Sequence, residues 1–159
     1  MIYFAYGSNL HLEQMMRRCP DAEALTQAIL FGYRLTYRRG VATIEKARRK
    51  DQVHGALYRI SKRDLKALDI YEGYPNLYYR DTVKVEARGM GLVRAMTYKM
   101  HKHFEYSPPR AGYYEIIQEG YRNWGLLTDL LEKSLENLGS VGISVGRQGY
   151  YPSENLQVL

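Results

Sequence analysis

The turn in the stretch YFAYGSNL is the first place where the chain could bind a charged ligand, because Gly7, Ser8 and Asn9 interrupt an apolar, aromatic run. We expect a buried strand over residues 2–6 and a helix over residues 10–18. If Ser8 or Asn9 caps that helix, the free backbone N–H groups from Gly7 to Leu10 point into one concavity that favours a carboxylate or phosphate. The alternative is an ordinary turn that uses these residues for geometry and capping alone.

Glu72 is the candidate for proton transfer, because it continues the apolar stripe of a predicted helix. That helix begins near Ser61 in SKRDLKALDIYEG, and Leu65, Leu68 and Glu72 follow at spacing i, i+3 and i+7. A carboxylate on the inward face is desolvated, and desolvation raises the pKa of a glutamate toward neutrality. Such a group can accept and return a proton, which a general acid/base must do.

Two other interpretations of Glu72 stay open at this point. The helix can end by about Tyr71, which would leave Glu72 in solvent, or the carboxylate can pair with a basic neighbour such as Arg80. Asp69 lies nearly on the same side as Glu72, where it could tune the glutamate's pKa or bond a helix end instead.

A third candidate is Tyr113 in SPPRAGYYEII, where two prolines stiffen the approach to a helix. A phenolic hydroxyl at the start of that helix could be held in a pocket, although a tyrosine at such a turn can equally serve packing. His101 and His103 lack a neighbouring acidic or cysteine ligand, so we expect no metal site. Cys19 has no sequence sign of an activating base, and neither a P-loop, a GxSxG elbow nor an HExxH motif is present.

The elements that must position these residues alternate between sheet and helix. Strands are predicted in AILFGYRLTYR, VATI and VHGALYRI. Two further strands, YYRDTVKVEA and LVRAMTYKM, are predicted to pair through the turn RGMG. Two helices follow in YYEIIQEGYRNW and LLTDLLEKSLENL. This order predicts an α+β fold with a strongly curved or barrel-like sheet. We expect one domain over residues 1–138, followed by a tail over 139–159 that is extended, partly disordered or a contact arm.

Composition bounds the functional classes. The chain has 159 residues, of which 45% are hydrophobic and 25% charged, as in a globular protein, and its formal net charge is +6. Positive charge permits an acidic small molecule, an anionic surface or nucleic acid as partner. The basic run KARRKD is more plausibly a solvated loop than a nucleic-acid site. One cysteine excludes an intrachain disulfide and fits the cytoplasm, and we expect neither a signal peptide nor a membrane span.

The order of three motifs resembles the γ-glutamylcyclotransferase family, also called the AIG2-like or BtrG-like superfamily. YFAYGSNL is followed after about sixty residues by LDIYEGYPNLYYR and later by SPPRAGY before a helix, so the resemblance covers roughly residues 1–135. It implies a small mixed β-barrel with flanking helices. It also implies that no cofactor is needed.

The resemblance also implies roles for particular residues. Glu72, in the LDxxEG pattern, corresponds to the catalytic glutamate, and the tyrosine seven residues later, Tyr79, corresponds to a pocket residue, as does Tyr113. The remaining substrate contacts belong to the loop that binds the α-carboxylate and amino end of a γ-glutamyl group: Tyr6, Gly7, Ser8, Asn9 and Leu10.

The reaction implied is release of 5-oxoproline from a small-molecule γ-glutamyl substrate. The free α-amine attacks the γ-carbonyl of its own chain, so no nucleophilic side chain is required. The motif YFAYGSNL is more similar to members that act on γ-glutamyl amino acids than to the glutathione-specific type. The alternative from another class is a non-catalytic module that binds a γ-glutamyl or other acidic metabolite. Nucleic acid is the weaker candidate partner, and the sequence leaves a homodimer open.

Overall fold

A closed, mixed β-barrel forms the body of the protein. The computed structural model describes residues 1–143 and residue 145. The strands are β1 (Ile2–Ala5), β2 (Glu23–Phe31), β3 (Tyr33–Arg38), β4 (Val41–Lys46), β5 (Gln52–Arg59), β6 (Tyr78–Ala87) and β7 (Gly91–Met100). The barrel order is β1-β5-β2-β6-β7, and a parallel pairing of β1 with β7 closes an otherwise antiparallel sheet. The predicted α+β class and the mixed barrel are therefore confirmed.

The barrel is narrow enough for a glycine to be required inside it. A Cβ atom at Gly55 of β5 would lie 2.2 Å from the Ala5 carbonyl oxygen and 2.6 Å from the Phe4 ring. No side chain can occupy that space without displacing backbone, so the end of β1 packs closely on Gly55 of the neighbouring strand β5. This close packing fixes the end of β1, from which the Gly-Ser-Asn turn departs.

A two-stranded hairpin and the helices cover the barrel. The hairpin pairs β3 with β4, and the helices are α1 (Leu12–Arg18), α2 (Lys62–Glu72), α3 (Ala111–Asn123) and α4 (Thr128–Ser140). Helix α4 packs on β3, where the Tyr37 hydroxyl and the Ser134 Oγ lie 2.6 Å apart. None of the helices in the described part of the chain is long and apolar enough to cross a membrane.

Helix α2 forms as its sequence predicts. Ser61 and Asp64 make a reciprocal capping box at its start. Gly73 ends it in the left-handed conformation, with φ at 62°. The helix therefore includes Glu72 as its last residue.

The start of the first helix differs from the prediction. Ser8 and Asn9 do not cap α1, because they belong to a separate 3-10 turn over Ser8–Leu10. The cap is His11, whose Nδ1 accepts a hydrogen bond from the Gln14 backbone N–H at 3.3 Å. The side chains of Ser8 and Asn9 are engaged elsewhere, as described below.

The predicted boundary of the tail falls inside a helix. Helix α4 continues through Ser140, past the expected end of the domain at residue 138. Ile143 and Val145 still pack against the core. Residue 144 and the predicted tail from 146 onward lie outside the described residues.

Candidate active site

A small cavity lies where β1, the 3-10 turn, the end of α2 and the start of α3 meet. Its volume is about 20 Å³, which is room for about one water molecule. It is lined by Tyr3, Tyr6, Gly7, Ser8, Asn9, Ala42, Glu72, Tyr78, Tyr98 and Tyr113. The turn, the glutamate and the later tyrosine, which are far apart in the sequence, are thus adjacent in the fold.

Glu72 presents a carboxyl group that is near its titration point at neutral pH. The residue is half-buried, and its Oε1 accepts a hydrogen bond from the Asn9 Nδ2 at 3.1 Å. Burial raises its pKa to about 7, against the opposing effects of the Arg18 charge and the Asn9 hydrogen bond. A carboxyl group poised in this way can take up and release a proton.

The open alternatives for Glu72 are now decided by geometry. Helix α2 reaches Glu72, and Arg80 instead pairs with Asp69 at 3.0 Å. Asp69 also accepts a hydrogen bond from the Tyr98 hydroxyl at 2.7 Å. Within residues 1–143 and 145, Glu72 forms no ion pair, which leaves its carboxyl group free to titrate.

Asn9 links the turn to the glutamate. Its Nδ2 donates to the Tyr3 hydroxyl at 2.8 Å as well as to Glu72, and its Oδ1 accepts from the Arg18 Nη1 at 2.5 Å. Next to it, the Ser8 Oγ lies 2.9 Å from the Tyr71 hydroxyl. These contacts hold the side chains of the turn in fixed directions around the cavity.

Tyr113 closes the opposite wall. Its hydroxyl oxygen accepts a hydrogen bond from the Ala42 backbone N–H at 3.0 Å, so its own proton remains available to donate. Burial raises the pKa of Tyr113 well above its usual value, which keeps the phenol protonated. A Cβ atom at Gly7 would lie 3.3 Å from that hydroxyl, so the glycine preserves the space between the turn and the phenol.

Two of the residues implied by the family resemblance lie outside the cavity lining. The Leu10 side chain is fully buried in the core and packs against Gly120. Tyr79 points away because side chains alternate along β6, and its ring packs on His101 at 5.1 Å between centroids. Tyr78 occupies the inward position instead, and its hydroxyl donates to the Ala42 carbonyl oxygen at 2.5 Å.

Sequence reasoning also missed Tyr98 and Ala42 as lining residues. Tyr98 lies on β7, opposite Arg80 of β6, and Ala42 lies on the hairpin strand β4. Neither belongs to a motif, and only the pairing of distant strands brings them to the cavity. Tyr3 is different, because its place in YFAYGSNL already set it beside the turn.

Comparison with known proteins identifies the family. Residues 3–126 match the family model described as gamma-glutamyl cyclotransferase, AIG2-like. The chain belongs to this family. Gamma-glutamylcyclotransferases of Homo sapiens and Mus musculus are 32% and 31% identical to it over 144 residues, or 83% of this chain and 76% of theirs. A solved structure named gamma-glutamyl cyclotransferase matches with a TM-score of 0.75 and 28% identity, covering 97% of this chain and 94% of that one.

The small cavity is a better candidate for the cyclotransferase site than the larger ones. Two larger cavities, of about 520 Å³ and 420 Å³, have linings that contain none of the predicted site residues. His54 lies between these two cavities, and its Nε2 has no hydrogen-bond partner among the described residues. Burial lowers the pKa of His54, so this ring is neutral at pH 7. The small cavity combines a carboxyl group titrating near neutrality with converging polar groups.

Cys19, His101 and His103, to which the sequence assigned no chemical role, have structural contacts. Cys19 is buried, and burial raises its pKa to about 12, so its thiol is unreactive. His101 bonds the Pro75 carbonyl oxygen at 2.7 Å and stacks on His103. In the described part of the chain, no group of His, Cys, Asp and Glu residues could hold a metal ion.

Proposed function

We propose that this protein is a γ-glutamylcyclotransferase that releases 5-oxoproline from a γ-glutamyl amino acid or amine. Membership of the family supports the reaction class. The observation that carries the proposal is the half-buried Glu72 carboxyl group, held by Asn9 beside the Gly-Ser-Asn turn, with a pKa of about 7.

Glu72 acts twice in this reaction. Its carboxylate first removes a proton from the α-amino group of the substrate, and the freed nitrogen attacks the γ-carbonyl carbon to close a five-membered ring. The bond from that carbon to the leaving nitrogen then breaks, and Glu72 returns the proton to the departing amine. The products are 5-oxoproline and the free amine, so protons balance without a cofactor.

The other lining groups fit the charges that the substrate carries and develops. Backbone N–H groups at the start of the 3-10 turn have no acceptor within the turn, and they suit the substrate's α-carboxylate. Tyr113 suits the oxyanion that develops on the γ-carbonyl, because its hydroxyl proton is available. Together these groups would fold the glutamyl chain so that its amine faces Glu72.

Substrate entry requires side chains to move, because a cavity of about 20 Å³ is smaller than a γ-glutamyl group. Tyr71 is the evident moving part, since it is 42% exposed and bonds Ser8 at the cavity edge. Tyr74, also exposed, lies under the Arg80 guanidinium group. We favour a γ-glutamyl amino acid as substrate.

Two further proposals concern the setting of the enzyme. A buried reduced thiol at Cys19 is consistent with the cytoplasm. A homodimer is proposed as the assembly, and light scattering at micromolar concentration tests it by giving twice the 18.5 kDa mass of the chain.

The decisive experiment measures 5-oxoproline release from a panel of γ-glutamyl amino acids and amines. We expect Glu72→Gln to lower kcat by about 100- to 10,000-fold, which is the usual contribution of general acid/base catalysis. Glu45→Gln, which alters a glutamate outside the cavity, is the matched control and should keep near wild-type turnover. Full activity in Glu72→Gln would contradict the mechanism. If wild type gives no product but γ-glutamyl compounds raise its melting temperature, the protein is the non-catalytic binding module instead.

A further inference from the structure

We infer that Arg18 is a positioning residue for the cyclotransferase reaction: it orients the Asn9 side chain so that Asn9 donates a hydrogen bond to Glu72. This inference rests on the proposed function of Glu72. Arg18 belongs to no motif in the sequence and does not line the cavity, so it acts through Asn9 and not on the substrate.

Arg18 is placed unlike its neighbour on the same helix. It is the last residue of α1, and its side chain turns inward, with Nη1 2.5 Å from the Asn9 Oδ1. Its guanidinium carbon lies 3.4 Å from the centroid of the Tyr71 ring. Arg17, one position earlier, is exposed and pairs with Glu13. Within residues 1–143 and 145, Arg18 forms no ion pair with a carboxylate.

The contact with Arg18 decides which way the Asn9 amide faces. A guanidinium group can only donate hydrogen bonds, and a carboxamide has one accepting end and one donating end. The Asn9 Oδ1 must therefore face Arg18, which leaves Nδ2 to donate to Glu72 at 3.1 Å and to Tyr3 at 2.8 Å. Without Arg18 the Asn9 amide could rotate and turn its Oδ1 toward Glu72. The amide oxygen would then repel an ionised Glu72 carboxylate, so this orientation would disfavour the ionised form.

This orientation suits a carboxyl group that must shuttle a proton. The bond from Asn9 engages Oε1 of Glu72, whereas Oε2 accepts no hydrogen bond in the described part of the chain. One oxygen is therefore held, and the other remains free for the substrate's amine. The Tyr71 ring, adjacent in sequence to Glu72, holds the guanidinium group from its other side.

Arg18 is also the permanently charged neighbour that acts on Glu72. The other groups that interact electrostatically with this carboxyl group are phenols from four elements, and burial raises the pKa of each, so all are neutral: Tyr3, Tyr6, Tyr78, Tyr98 and Tyr113. Asp69, on the same helix, is paired with Arg80. The Arg18 charge and the Asn9 bond thus favour the ionised form of Glu72, against burial.

The test compares Arg18→Met and Arg18→Gln with Arg18→Lys, and uses Arg17→Met as the matched control. Two quantities are measured on each protein: the pH dependence of kcat/KM, and the titration of the Glu72 side-chain carboxyl carbon by NMR, assigned with Glu72→Gln. The NMR midpoint does not depend on turnover, so it tests Arg18 even if no γ-glutamyl compound is cleaved. Two neutral variants are included because either one could fail to fold.

The neutral variants should titrate at higher pH than wild type. Loss of an adjacent positive charge raises a carboxyl pKa by about one unit or more. At pH 7 this lowers the ionised fraction, and with it kcat/KM, about fivefold, and the loss should diminish above about pH 9. Arg18→Lys keeps the charge and should restore the wild-type midpoint, and Arg17→Met should match wild type throughout.

A wild-type midpoint in a folded Arg18→Met or Arg18→Gln protein would overturn the inference. A loss of activity that is equal at all pH values would also overturn it, because that is the sign of a purely structural role. Absence of turnover in wild type, with a shifted midpoint in the variants, would instead refute the proposed function and leave the electrostatic role of Arg18 standing.

Discussion

Two partly buried glutamates in this protein, Glu45 and Glu72, have opposite electrostatic surroundings. Glu45, on the hairpin, accepts hydrogen bonds from Arg34 at 2.6 Å, Arg38 at 3.2 Å and Tyr106 at 2.9 Å. Burial alone would raise its pKa, but these donors outweigh burial and hold the pKa below its usual value. Glu72 has one neutral amide donor, and its pKa is raised to about 7.

The difference shows what separates a structural carboxylate from one suited to catalysis. Two guanidinium groups in direct contact keep Glu45 ionised at every pH near neutrality, so it cannot exchange protons there. At Glu72 the positively charged neighbour, Arg18, bonds Asn9 and forms no ion pair with the carboxylate, which leaves burial as the dominant influence. Both glutamates are partly buried, and the placement of the arginines contributes to the difference in their chemistry.

The largest expected difference between the two glutamates is in the free energy of unfolding of their glutamine variants. Glu45→Gln leaves Arg38, whose side chain is only 9% exposed, without its carboxylate, and breaking a buried pair in this way costs about 3 kcal/mol. We expect this loss in urea unfolding at pH 7, with kcat changed less than about twofold. Glu72→Gln should show no such loss of stability. Equal stability of wild type and Glu45→Gln would mean that the hairpin ion pairs do not stabilise the fold.

The next effect is a pH dependence of stability with opposite signs for the two glutamates. The folded pKa of Glu72 lies above its usual value near 4.5, so folding favours the protonated form. Its stabilising contribution is complete below about pH 4.5 and is lost as pH rises through about 7. A rise of this size corresponds to about 3 kcal/mol, which solvent screening of the part-exposed carboxyl group reduces to about 2 kcal/mol. Glu45, with a lowered pKa, instead loses its contribution as pH falls below its usual range.

Unfolding free energies at pH 5 and pH 8 measure this effect. Relative to wild type, Glu72→Gln should be about 1.5 kcal/mol more stable at pH 8 than at pH 5, since the variant has no carboxyl group to ionise between these pH values. Glu45→Gln should lack this gain and provides the control. Parallel pH profiles for wild type and Glu72→Gln would show that Glu72 titrates near its ordinary value.

Much of the fold followed from local patterns in the sequence. The apolar spacing through Leu65, Leu68 and Glu72 predicted both the helix and its inward carboxylate, and the helix begins next to Ser61 as expected. Closure of the barrel could not be read from these patterns. It depends on the parallel pairing of β1 with β7, between residues about ninety positions apart in the chain.

The site was predictable only as far as the motifs reach. The contribution of Asn9 is not the helix cap that its residue type suggested, because its amide bonds Tyr3 and Glu72 instead. The adjacent tyrosines at 78 and 79 could not be distinguished, since a shift of one residue in a strand exchanges its two faces. Strand register, which is set by the pairing of β6 with β7, directs Tyr78 to the Glu72 cavity.

Tyr79 lines the cavity that contains Glu45, whereas Tyr113 lines the cavity that contains Glu72. Substitutions of these two tyrosines therefore also compare the two cavities, with a smaller expected effect. Tyr113→Phe removes the available hydroxyl proton, and we expect about a tenfold loss in kcat, or about 1.4 kcal/mol of transition-state stabilisation, with little change in KM. Tyr79→Phe should change kcat less than about twofold. A larger loss in Tyr79→Phe than in Tyr113→Phe would place the reacting carbonyl group on the Glu45 side of the barrel.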